Sequence, residues 1–146
     1  MKYDDASWHY GGEFPKDLPI EAGATHIAMF AVWAWSNGLA GPLILEDIPE
    51  ALDAVRSLSM MPAELFLKYS DGKLIDEDLN DEANAFARAY YLDGTDSGQL
   101  GDYITDLEAL ACDLPSVYHV PNTWETFDKF APTISRRFDH WRNGQK

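Results

Sequence analysis

The apolar positions between residues 19 and 36 do not keep to one side of a helix. Ile27, Phe30, Ala31 and Ala34 share a face, while Met29, Trp33 and Trp35 cover the others. A helix that is apolar all round is buried all round, so the pattern predicts a central helix over 19–36. Pro19 suits its first turn, Asp17 is placed to cap it, and Asn37-Gly38 is a stop signal. Gly23 weakens the first turn. The other periodic segments are narrower. Ala51, Leu52, Val55 and Leu58 form one stripe behind an Asp47/Glu50 capping pattern. Leu65, Phe66 and Tyr69 follow Pro62, and Ser70-Asp71-Gly72 ends that helix. Ala83, Phe86, Ala87 and Tyr90 follow a cap at Asn80, with Asp81 and Glu82 in the first turn. Tyr103, Ile104, Leu107, Leu110 and Ala111 mark a fifth segment. Trp124, Phe127, Phe130, Ile134, Phe138 and Trp141 mark a sixth, with Asn122 as its expected cap and Pro132 expected to kink or split it.

The connections between these segments are short. Gly11-Gly12 reads as a turn and Asp93–Gly98 as a loop. Tyr3–Pro15 reads as an ordered loop or short extended piece, since Trp8, Tyr10 and Phe14 need something to pack on. The expectation is a mainly α protein, a compact bundle of about six short helices around the central one, in a single domain over 1–146. Residues 43–45 and 117–120 read as short extended pieces compatible with a small two-stranded hairpin.

Composition bounds what this bundle can do. At 146 residues the chain is long enough to bury roughly 70% of its unfolded surface without crosslinks. Cys112, the single cysteine, allows no internal disulfide and reads as a small buried apolar residue. The most apolar run, 27–35, is half of the ~18 residues a membrane span needs. The first residues lack the apolar stretch of a signal peptide, so the expected location is cytoplasmic. The net charge of −14 opposes binding to nucleic acid or to an anionic membrane. That charge is uneven: residues 46–108 hold sixteen acids against four bases, whereas 109–146 hold four acids and five bases.

The densest acidic cluster is Asp76, Glu77, Asp78, Asp81 and Glu82. It fails as an EF-hand, because counting from Asp76 the sixth position is Asp81 instead of Gly and the twelfth is Ala87 instead of Glu. No H-E-x-x-H pair, phosphate-binding loop, dinucleotide fingerprint or G-x-S-x-G elbow is present. No cofactor is implied. Asp4, His9 and His26 form a metal site or an acid/base group only if the N-terminal segment folds back over the central helix. Arg136, Arg137 and Arg142 make the one basic patch, expected to clasp the acidic middle of the chain.

Four stretches together, YDDASWHYGG (3–12), ATHI (24–27), DEDLNDEANAFARAYY (76–91) and YHVPNTWETFD (118–128), resemble an uncharacterised family of small acidic bacterial proteins. The resemblance covers nearly the whole chain. It implies a bacterial source and one domain, and it supplies no activity and no catalytic residues. Immunity proteins, which neutralise a toxin by occupying its basic cleft, are small acidic domains of the same general kind.

The leading functional expectation is therefore a non-catalytic acidic protein that engages a basic protein partner, such as a toxin. Asp76, Glu77, Asp78, Asp81 and Glu82 would form its contact face, with Tyr90 and Tyr91 as exposed aromatic anchors. The alternative is a metal-binding protein or hydrolase built around Asp4, His9 and His26.

Overall fold

The computed structural model describes residues 2–10, 14–92 and 101–144. The turn expected at Gly11-Gly12 and the loop expected at Asp93–Gly98 lie outside the described residues. Among the described residues, two strands and six α-helices appear in the order β1 (Lys2–Asp5), α1 (Thr25–Ser36), α2 (Glu50–Ser57), α3 (Pro62–Ser70), β2 (Lys73–Ile75), α4 (Asp81–Tyr90), α5 (Asp102–Leu110) and α6 (Trp124–Gly144). Short 3-10 turns occupy Ala6–His9, Ile20–Gly23, Asp76–Asp78 and Val117–His119. The mainly helical bundle with a small two-stranded sheet agrees with the sequence pattern.

Helix α1 is the centre of the molecule. Every residue from Thr25 to Trp35 is buried, as its all-round apolar pattern requires. Its regular part starts later than 19, because Ile20–Gly23 forms a 3-10 turn first. Asp17 does not cap it and instead meets His119. An aromatic layer packs beneath: Phe30 against Phe86 and Tyr91, Trp33 against Phe138, and Tyr91 stacked on Tyr103 at 4.6 Å between centroids. Each buried ring removes a large apolar area from water, and the offset and edge-on geometries add to that gain. Gly38 ends α1 with φ at +74°, where a side chain would be strained. Gly41 sits so close to the Asp76–Asp78 turn that an added Cβ would come within 2.4 Å of the Glu77 and Leu79 carbonyl oxygens.

The sheet is not where the sequence suggested. Residues 43–47 form a single π-helical turn and 117–119 a 3-10 turn, so neither contributes a strand. The antiparallel pair is β1 with β2, in register Lys2↔Ile75, Asp4↔Leu74 and Asp5↔Lys73. The register slips by one residue between Lys2 and Asp4, which makes Tyr3 the extra residue of a bulge. Tyr3, Asp4 and Asp5 are consequently all buried instead of alternating in and out.

Several caps also moved. Thr123, not Asn122, caps α6, its hydroxyl accepting from the Thr126 N–H. Asn122 accepts from the Ala63 N–H at 2.8 Å and so caps α3 from a distant part of the chain. Asn80 caps α4 as its sequence position indicates, accepting from Ala83 N–H. The Asp47/Glu50 pattern gives no side-chain cap on α2. Helix α6 runs through Pro132 without being split. Cys112 is exposed, contrary to its reading as a core residue. The expected clasp is present: Arg137 donates to both Asp106 oxygens at 3.0 and 2.9 Å, and Arg142 lies 3.3 Å from Glu82.

Candidate metal centre

The N-terminal segment does fold back over the central helix. β1 is tied down by β2 and by the Ala6 N–H, which donates to the Gly72 carbonyl at 2.8 Å. The bulge at Tyr3 brings Asp4 under the 3-10 turn that carries His9, while His26 enters from the first turn of α1. One ligand atom from each of Asp4, His9 and His26 lies within 4.8 Å of the other two. Asp4 and His26 are each 2% exposed.

His9 Nε2 is 2.8 Å from Asp4 Oδ1, and His26 Nε2 is 3.4 Å from Asp4 Oδ2. The two imidazole rings meet edge to face at 4.5 Å. Around this trio stands a second layer. Tyr91 donates to Asp4 Oδ2 at 2.6 Å, the Asp5 N–H donates to Asp4 Oδ1 at 2.9 Å, and Tyr118 Oη lies 2.8 Å from His9 Nδ1. Tyr103 donates to the His26 carbonyl and thereby fixes the start of α1. Partners of this kind orient metal ligands and set which ring nitrogen carries the proton.

Electrostatics follow from the packing. Burial alone would raise the Asp4 carboxyl, but hydrogen bonding to His26 and His9 reverses this and holds it well below the usual carboxylate range. Burial lowers His26, only partly offset by Asp4. The pair therefore rests as a carboxylate beside a neutral imidazole. Burial and then the Asp4 charge raise the Tyr91 phenol far above its ordinary value, so it stays a donor. His26 Nδ1 is buried and has no hydrogen-bond partner.

Tetrahedral ligands at the zinc distances of about 2.0–2.2 Å lie roughly 3.3 Å apart. His9 Nε2 and His26 Nε2 lie 2.8 and 3.4 Å from different Asp4 oxygens, and one ligand atom from each residue already lies within 4.8 Å of the others, so small side-chain shifts reach that spacing. Two imidazoles and one carboxylate supply borderline-hard donors with no thiolate. That set suits a divalent first-row ion and leaves a coordination position open.

The acidic face expected for a protein partner changes in the structure. Glu77, Asp81 and Glu82 are exposed. Asp78 is 1% exposed, because its Oδ2 turns in to accept from the Ile75 N–H. Asp76 makes its own interactions within the fold. Tyr90 and Tyr91 are buried, as Tyr90 stacks on Phe86 and bonds Asp106 while Tyr91 bonds Asp4. They cannot serve as exposed anchors. Tyr103 and Tyr118 are site residues that sequence reading missed, and Tyr91 was assigned to the wrong face. Tyr91 had been read as an exposed anchor, Tyr103 as part of a helical stripe and Tyr118 as part of a short extended piece, and the long-range contacts that give them this role leave no local signal.

The chain belongs to the family described as Domain of unknown function (DUF7832), whose profile matches residues 2–120. All of Asp4, His9, His26, Tyr91 and Tyr118 fall inside that span. No curated protein and no solved structure shows significant similarity to the chain. No helix among the described residues is long and apolar enough to cross a membrane.

Proposed function

We propose that this member of the DUF7832 family is a metal-binding protein whose centre is Asp4, His9 and His26. The observation that supports it is the convergence of these three side chains, from two segments of chain, into a buried group held by Tyr91 and Tyr118. A divalent ion would supply positive charge to a buried carboxylate facing two imidazoles. With three protein ligands the open position would take water or a substrate oxygen, which is the arrangement of hydrolytic metal sites. The test is calorimetric titration of metal-stripped protein with zinc, manganese and iron(II). One ion bound per chain, lost in Asp4→Asn and His26→Ala, supports the reading. Less than a tenth of an equivalent of any ion, with no thermal shift, refutes it.

The second reading, an acidic partner-binding protein such as an immunity protein, draws on one feature. Arg137 and Arg142 are used up inside the molecule, so they do not neutralise Glu77 and Asp81 on the surface. Such a face would steer a cationic protein towards it. Co-purification from the native source at low and high salt separates the cases. Repeated recovery of no basic partner counts against it.

A further inference from the structure

The clasp between α6 and the acidic middle of the chain occupies two of the three arginines and leaves the third. Arg137 holds Asp106, and Arg142 holds Glu82. Arg136 is exposed and, among the described residues, bonds only the Thr133 hydroxyl, at 3.3 Å. Arg136 and Thr133 line two adjoining open cavities where α5 and α6 meet. The first, of about 410 Å³, is completed by Asp106, Arg137 and His140. The second, of about 340 Å³, adds Lys129 and the apolar Ala109, Leu110 and Phe130. Lys129, Thr133, Arg136, Arg137 and His140 follow one another at steps of three and four residues, so α6 presents them along one stripe.

The charge of this groove runs against that of the molecule. In a chain of net −14, the two cavities hold Lys129, Arg136 and Arg137 against one carboxylate, Asp106. That carboxylate is already covered, since Arg137 donates to both its oxygens and Tyr90 donates to Oδ2. Two more acids stand nearby, Asp102 at 3.8 Å from Arg137 and Glu125 at 3.6 Å from Lys129, in exposed pairs that bind weakly. The Arg136 fork, the Thr133 O–H and a ring N–H of His140 are left to a ligand. Three donor side chains match the three peripheral oxygens of a phosphate monoester. A carboxylate has two oxygens, which one guanidinium satisfies.

We infer that the groove between α5 and α6 is a binding site for a small organic phosphate monoester. Arg136, Thr133 and His140 hold the phosphate, and Ala109, Leu110 and Phe130 receive its carbon body. A cavity of about 150 Å³ accepts one benzene, so the second cavity has room for a single ring. The site shares no residue with Asp4, His9 and His26, and the inference stands apart from the metal reading.

The experiment titrates the whole chain with phenyl phosphate and with inorganic phosphate at one fixed low ionic strength, read by amide NMR shifts. Arg136→Gln is the variant, because an exposed side chain bonded only to Thr133 can be replaced without unfolding the helix, and an unchanged amide spectrum outside α5 and α6 checks this. Expected are saturable shifts confined to α5 and α6, with phenyl phosphate about tenfold tighter than inorganic phosphate through its apolar contact. Arg136→Gln should weaken phenyl phosphate by about tenfold, the loss of a charge-assisted contact at an open site. Equal affinity for the two probes overturns the monoester in favour of a free phosphate site. Absence of saturable binding, or binding that Arg136→Gln leaves unchanged, overturns the site itself.

Discussion

Tyr91 reaches Asp4 across the core, its hydroxyl donating to the carboxylate at 2.6 Å between residues 87 positions apart in the chain. Tyr91 also stacks on Tyr103, so one side chain joins the aromatic core to the charged site. Tyr91→Phe keeps the ring and deletes the donor. Loss of a buried hydrogen bond to a charged group is expected to cost about 1.5–3 kcal/mol of unfolding free energy. Chemical denaturation checks this, with Tyr103→Phe as the comparison for a bond to a neutral carbonyl.

Zinc at the proposed centre should stabilise the fold by an amount that grows with the logarithm of its free concentration. At a free concentration one hundred times the dissociation constant the gain is about 2.7 kcal/mol. For a chain of this size that raises Tm by about 5–10 °C. Asp4→Asn should abolish the rise, and differential scanning calorimetry with and without chelator measures both. A Tm that ignores zinc in the native protein contradicts the centre.

Asp78 contributes more stability in mild acid than at neutral pH. Burial pushes its carboxyl up to about 7, with the charges of Glu77 and Asp76 acting in the same direction. Its Oδ1 and the nearby Ser70 hydroxyl lack hydrogen-bond partners of good geometry. A carboxyl raised in the folded state is a proton held more tightly there than in the unfolded chain. Its contribution to stability is full below about pH 4 and is lost as pH rises to about 7. Asp78→Asn keeps an acceptor for the Ile75 N–H and cannot ionise. It is expected to be more stable than the native protein at pH 8 by about 1–3 kcal/mol, with the advantage vanishing near pH 4. Urea unfolding at both pH values tests the sign.

The helix map was legible because it depends on local period. The all-round apolar face of α1, the stripe on α6 and the cap at Asn80 are read directly from spacing. The sheet was not, since three-residue β2 and four-residue β1 carry too little pattern to distinguish them from loop. Tyr90 and Tyr91 illustrate the same limit. Both were read as exposed anchors, but contacts from α5 and β1 bury them. Asp4, His9 and His26 were named as candidates on residue type alone. What joined them was a one-residue bulge that no propensity announces.

Arg137 shows how the acidic middle of the chain is anchored. It grips Asp106 with two hydrogen bonds, while Tyr90 donates to the same carboxylate at 2.5 Å. Arg137→Ala leaves Asp106, largely buried, with the tyrosine alone. The expected cost is about 1–2 kcal/mol, less than for a fully buried pair because the arginine is partly exposed. Asp106→Asn with Arg137→Ala completes a double-mutant cycle, and a coupling below about 0.3 kcal/mol would show the clasp to be ornamental.

The closing of β1 against β2, and of His9 against Tyr118, has a consequence for biosynthesis. His9 and Tyr118 are 109 residues apart. At ribosomal speeds of about 5–20 residues per second, roughly 5–20 s separate the emergence of the two. Throughout that interval Asp4 and His9 are on a nascent chain whose later pieces do not yet exist. The proposed ligands Asp4, His9 and His26 are thus all made early, while the β2 pairing and the Tyr118 hydroxyl that hold them arrive only with the later chain.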